Sequence, residues 1–175
     1  VIPRGGAELI QRVVMESRVP VLETGAGNCH VYVDRSAKLD DAVAICINAK
    51  VQRPSVCNSA ETFLFHQDVA ASMVVKLFPE LRKLKVEIRG DASIRQWDPT
   101  VTVATDDDWA TEFLDLIVAV KVVADVDEAV AHIQHYSTLH TEAIVAEDPL
   151  AIETFINGVD CAAIMINAST RFTDG

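Results

Sequence analysis

Apolar residues along this chain recur at two periods, and the two alternate. Helical spacing runs through residues 7–18, with Leu9 and Val13 in one row and Ile10 and Val14 in a second. Over 37–51 it places Ala42, Ile45, Cys46 and Ala49 on one face. Over 68–84 it draws a stripe through Val69, Met73, Leu77 and Leu81, with Asp68 as the predicted cap and Pro79 predicted to kink or end the helix. Two more helices are predicted over 126–136 and 148–158. The second has the signature of an Asp148 cap, Pro149 at the first helical position and Gly158 at the stop. Between these lie short apolar or alternating runs that predict strands: 19–24, 29–34, 61–66, 85–90, 115–124, 142–146 and 161–167. Residues 91–112 read as irregular. Strands alternating with helices of this length predict an α/β fold of three α/β/α layers around a largely parallel sheet.

Composition agrees with that reading. The chain has 175 residues, 50% of them hydrophobic, enough for a well-buried core. A net charge of −11 argues against nucleic acid and anionic membrane as partners, so no nucleic acid and no membrane are expected. No run approaches the length of a membrane span, and no charged-then-apolar leader is read. Four cysteines at 29, 46, 57 and 161 are too irregularly spaced for a disulfide framework or a zinc site. Reduced thiols and a cytoplasmic location are the simplest expectation.

Three of those cysteines read as small core residues. Cys46 lies on an apolar helix face, and Cys29 and Cys161 open strands. Cys57 differs: in "QRPSVCN" it sits among polar residues between a helix and a strand, with Arg53 four positions before it. A loop carried by a rigid scaffold is where reactive groups concentrate, although a lone loop cysteine is also a common accident. Elsewhere the chemistry is thinner. His132 and His135 in "HIQH" have metal-binding spacing but no completing ligand, so surface histidines are expected. "GAGN" precedes a strand rather than opening a helix, so it fails as a dinucleotide loop. "TDDDW" reads as a solvated turn.

The order of the pieces says more. A strand ends in "ETGAGN", a helix follows, then the cysteine loop "QRPSVCN", and much later "TEFLDL" and "NASTRFTDG". With "IPRGG", "GNCHVYVD", "DEAVAHI" and "VDCAA", these phrases resemble the catalytic half of the aldehyde dehydrogenase superfamily, nearly end to end. The likeness is closest to the glutamate-5-semialdehyde dehydrogenases, also called gamma-glutamyl phosphate reductases. "QRPSVCN" and "NASTRFTDG" are its specific phrases.

The resemblance implies NADPH as cofactor and reduction of L-glutamyl 5-phosphate to the semialdehyde, in proline biosynthesis. Cys57 matches the family nucleophile, which forms a thioester and expels phosphate. Arg53 suits the phosphate, with a surface salt bridge as its equally open alternative. Asn167, Ser169, Thr170 and Arg171 follow a strand end and are implied to contact substrate; locally they also read as a polar turn. Glu112 matches the glutamate that holds the nicotinamide ribose. Glu23 aligns with the general base of hydrolytic members, a role that a reductase starting from an acyl phosphate does not need. It is carried with Glu112 as a cofactor-side candidate.

Both ends read as cut through a longer protein. Residues 1–24 are expected to close a cofactor-binding domain, and 25–175 to form a catalytic domain lacking its C-terminal end. Such a piece alone is expected to bind NADPH poorly and turn over little. Glutamate 5-kinase is a candidate partner, and the full-length protein is expected to be a homo-oligomer. Three alternatives stay open: the reductase part of a bifunctional pyrroline-5-carboxylate synthase, another acylating aldehyde dehydrogenase, and a noncatalytic assembly or binding domain.

Overall fold

The computed structural model describes residues 1–3, 5–22 and 26–173. In chain order the elements are α1 (Ala7–Glu16), β1 (Cys29–Val33), α2 (Leu39–Val51), β2 (Ala60–His66), α3 (Gln67–Lys83), β3 (Glu87–Gly90), α4 (Ile94–Trp97) and β4 (Thr102–Val103). Then come α5 (Asp106–Trp109), β5 (Ile117–Val123), α6 (Val126–Tyr136), β6 (Thr141–Val145), α7 (Pro149–Gly158), β7 (Ala163–Ile166) and a 3-10 turn at Thr170–Phe172. The strands form one sheet of order β4-β3-β5-β2-β1-β6-β7, and every pairing in it is parallel.

That order explains the three layers. From β1 to β4 the chain steps toward one side of the sheet; from β5 to β7 it steps toward the other. Crossovers between parallel strands are right-handed, so reversing the direction moves the helices to the opposite face. Hence α2, α3 and α4 cover one face. There Met73, Leu77, Phe78, Leu81 and Ile94 pack on Val31, Val33, Phe63, Phe65, Val118 and Val120. The other face is covered by α6 and α7, where Ala129, Val130, Ile133 and Phe155 pack on Tyr32, Leu64, Val123 and Ile144. Strands buried on both faces are why β1, β2 and β6 read as near-continuous apolar runs.

Several expectations are corrected. Among the described residues, 19–22 form no strand: Leu22 N–H donates to Val1 O and the Val1 amine donates to Pro20 O, while positions 23 and 24 of the expected strand lie outside the described residues. Pro3 and Pro20 each lack the N–H that a ladder needs. Pro79 neither ends nor breaks α3, which runs on to Lys83. It stands on the exposed side, as does Val75, the residue whose carbonyl loses its usual partner to the proline. The cap of α3 is the ring of His66, whose Nδ1 accepts from Asp68 N–H, and not the Asp68 carboxylate. The stretch 91–112 is more ordered than its sequence suggests. It adds β4 to the sheet edge, and its "TDDDW" is a short capped helix whose Asp108 is buried against Arg89 at 2.6 Å. The final helix starts as expected: Asp148 accepts from Leu150 N–H, with Pro149 in the first turn.

Candidate active site

The loop from α2 to β2 lies at the edge where the strands begin. Because all strands are parallel, the starts of β5, β2, β1 and β6 stand side by side there. Cys57 occupies this rim and is exposed. The other thiols differ. Burial pushes Cys29 well above the usual thiol range and pushes Cys46 up within its helix. Cys161, half-buried, is also raised by burial. Burial thus disfavours the thiolate, the nucleophilic form, at three sulfurs, and the fourth is exposed to solvent.

The loop is fixed from several sides. Ser59 N–H closes a turn onto Val56 O, and Ser59 Oγ donates to Ala49 O at the end of α2. The buried Asn58 side chain donates to Thr173 O at 3.1 Å. Cys29 Sγ donates to Cys57 O at 3.2 Å. Gly27 lies so close that a Cβ there would fall 1.4 Å from Cys57 O and 2.5 Å from Cys57 Cα. Only glycine fits, because the obstruction is backbone. Gly27 N–H in turn donates to Glu112 Oε1 at 2.6 Å. Glu112 is therefore brought, through Gly27 and across the 85 positions that separate the two, to the cysteine loop. Its Oε2 has no partner among the described residues, leaving one acceptor for a ribose hydroxyl. In that respect the residues present fit a nicotinamide cofactor.

Beneath the loop, Lys50 at the end of α2 meets Glu61 at the start of β2, Nζ to Oε2 at 2.5 Å, with both side chains fully buried. Burial drives both toward their neutral forms, the lysine down and the carboxyl up, and each partner's charge opposes that shift. Glu61 Oε1 accepts from Leu114 N–H, so the pair ties both ends of the cysteine loop to the segment that carries Glu112.

Basic residues reach the same rim. Arg53 is exposed and makes no hydrogen bond or ion pair with the described residues. Arg171 donates through Nε to Gln52 Oε1 at 2.8 Å, beside Arg53 in sequence. The remaining candidates are placed differently. Asn167 sits at the opposite edge, past the end of β7, with its amide bonded to both N–H and O of Ala146. The chain then turns back along the sheet, and Ser169 and Thr170 are buried on the way, with Ser169 Oγ accepting from Arg171 N–H. The structure thus gathers Cys57, Arg53, Arg171 and Glu112, leaves Ser169 and Thr170 inside, and sends Asn167 away. Glu23 lies outside the described residues. His132 is a correction: it is 4% exposed, buried beneath α6, whereas His135 is exposed.

Sequence reasoning missed Gly27, Lys50 and Glu61. A glycine before a strand and a charged pair flanking the cysteine loop were the available signals. Neither says that Gly27 touches the loop or that the pair is buried. Among the described residues no cluster of three or more His, Cys, Asp or Glu side chains has the arrangement of a metal site.

No protein-family model matches the chain. Curated proteins do. Gamma-glutamyl phosphate reductase of Thermobifida fusca is 56% identical over 174 residues, which is 99% of this chain and 42% of that protein. Its counterpart in Halalkalibacterium halodurans is 57% identical over the same share of each chain. The crystal structure of gamma-glutamyl phosphate reductase from Thermotoga maritima superimposes with a TM-score of 0.97 at 53% identity, over 99% of this chain and 42% of that one. An acetylating aldehyde dehydrogenase from Geobacillus thermoglucosidasius shares the fold, with a TM-score of 0.75 at 22% identity over 98% of this chain and 46% of that one. The chain spans about two-fifths of the length of the curated relatives it matches. Whole-chain identity and the near-identical fold place it in the gamma-glutamyl phosphate reductase family.

Proposed function

We propose that this chain carries the thioester chemistry of an NADPH-dependent reduction of L-glutamyl 5-phosphate to L-glutamate 5-semialdehyde, a step in proline biosynthesis. The observation that carries this reading is Cys57: it is the exposed thiol, on a rigid loop at the strand-start rim, with Arg53 uncommitted beside it. The chemistry follows from the residues. The Cys57 thiolate attacks the acyl carbonyl carbon, and the carbon–oxygen bond to phosphate breaks with its electron pair leaving on phosphate. Cys57 N–H and Asn58 N–H have no acceptor among the described residues and are free to donate to the oxyanion. Arg53 and Arg171 offset the phosphate charge on a chain of net −11. When bound, NADPH supplies the hydride that reduces the thioester carbonyl. Glu112 Oε2 is the group that would hold its ribose. Collapse of the resulting hemithioacetal returns the thiolate and releases the aldehyde.

In this reading residues 25–175 belong to the catalytic domain and 1–24 to the end of the cofactor-binding domain. The isolated chain is expected to be nearly inactive. The test uses a full-length protein containing this segment, assayed in reverse with glutamate semialdehyde, phosphate and NADP. Cys57→Ser is expected to abolish phosphate-dependent NADP reduction; retained activity would exclude the cysteine mechanism. Other aldehydes in the same assay separate this substrate from those of other acylating dehydrogenases.

A further inference from the structure

On the face covered by α6, four polar atoms have no hydrogen-bond partner among the described residues: Asn28 Oδ1, His30 Nε2, Thr62 Oγ1 and His132 Nε2. The residues that carry them are at most 4% exposed. They form one neighbourhood. His30 on β1 stands opposite Thr62 on β2 and Glu142 on β6, so the three side chains share a face. The His132 ring, from α6, meets the His30 ring edge-on at 5.5 Å between centroids. Asn28 Nδ2 donates to the carbonyls of Trp109 and Tyr136, whose rings both pack on His132. An unpaired buried polar group costs about 1–3 kcal/mol, so four together call for a common partner.

Their roles can be assigned. His30 Nδ1 lies 3.0 Å from Glu142 Oε2, which accepts, so Nδ1 carries a proton and, in the neutral tautomer this contact selects, Nε2 is the acceptor. His132 Nδ1 lies 3.4 Å from Lys121 Nζ, an ammonium that only donates, so Nδ1 is bare and Nε2–H is a donor. The Asn28 amide nitrogen donates twice, leaving Oδ1 as an acceptor. The Thr62 hydroxyl does either. The set is therefore two acceptors, one donor and one hydroxyl, the complement of a molecule with two donors and two acceptors.

We infer that a single buried water occupies this neighbourhood, donating to His30 Nε2 and Asn28 Oδ1 and accepting from His132 Nε2–H and Thr62 Oγ1–H. A metal ion is the wrong complement, since His132 presents a proton and His30 the one bare nitrogen. The water anchors the start of β1 immediately beyond Gly27, the residue pressed against Cys57. The test is diffraction from crystals of a full-length protein containing this segment, at a resolution where ordered waters are unambiguous. The expected result is one peak, with no anomalous signal, within hydrogen-bond distance of at least three of the four atoms. An empty site, side chains turned to bond one another, or an anomalous scatterer would overturn the inference. Thr62→Val and Thr62→Ser sharpen it: the valine is expected to lower the thermal midpoint by several degrees, and the serine to leave it near wild type. Equal effects would contradict a bound water.

Discussion

The two edges of the sheet handle their polar groups in opposite ways. At the strand-end edge, side chains are spent on the backbone and on each other. Asp34 accepts from the Tyr32 hydroxyl and from both Ser36 N–H and Ser36 Oγ–H, and Ser36 Oγ in turn accepts from Glu147 and Asp148 N–H. Those bonds hold the Asp34 carboxyl below its ordinary range against the opposing effect of burial, while burial and Asp34 together raise the Tyr32 phenol. Asn167 satisfies both the N–H and the carbonyl of Ala146. At the strand-start edge, the Cys57 thiol, the Arg53 guanidinium, one Glu112 oxygen and the N–H groups of Cys57 and Asn58 are left without partners among the described residues. Doubly wound sheets commonly bind ligands at the strand-end edge. Here the uncommitted groups lie at the other one. Saturated groups stabilise the fold; unsaturated groups held rigidly are available for chemistry.

Perturbing the support under the active rim should have the largest effect. Lys50→Met leaves Glu61 buried without its ion partner and is expected to cost about 3–5 kcal/mol. The double variant Lys50→Met/Glu61→Leu should recover most of that loss in urea melts. Equal losses for the single and double variants would mean the pair is not the support. Gly27→Ala must displace the Cys57 backbone, and a shift of about 1 Å at a reacting group costs on the order of 10²-fold in turnover. A full-length Gly27→Ala enzyme with normal kcat would break the link between the glycine and the cysteine.

The buried polar cluster behind the rim predicts a pH dependence. Burial, then His30 on β1, Lys121 on β5 and His135 on its own helix, lower His132 to about 3. The neutral aromatic rings of Trp109 and Tyr136 complete its surroundings. The unfolded chain binds a proton there below about pH 6.5, while the folded chain does not until about pH 3. This contribution is therefore complete above about pH 6.5 and falls by up to about 1.4 kcal/mol per unit as pH drops toward 3. His132→Gln should flatten that slope in pH-dependent melts; an unchanged slope would assign it elsewhere. The smallest effect should come from the opposite edge. Asn167→Ala is expected to cost about 1–2 kcal/mol through its lost backbone bonds and its left-handed φ of 51°, with KM and kcat intact. A raised KM would return Asn167 to the substrate site.

Much of the fold was legible because it rests on period. The stripe of Val69, Met73, Leu77 and Leu81 is wholly buried, as its spacing predicts. What failed was context. Pro79 is tolerated because its side of the helix is wet, and 19–22 form no strand where Pro3 and Pro20 each lack the N–H a ladder needs. Cys57 stood out locally by its polar neighbours, and family resemblance supplied its role. Gly27, Glu61 and the partners of His132 could not be found that way. Each acts across the sheet, through approaches that no local pattern encodes.

The most direct measurement is to incubate the full-length enzyme with glutamate semialdehyde and NADP in the absence of phosphate, then map acyl groups by mass spectrometry. The account predicts a hydroxylamine-labile glutamyl adduct on the Cys57 peptide, discharged by added phosphate. An adduct on Cys29, Cys46 or Cys161, or turnover on phosphate addition with no acyl group ever on Cys57, would contradict it.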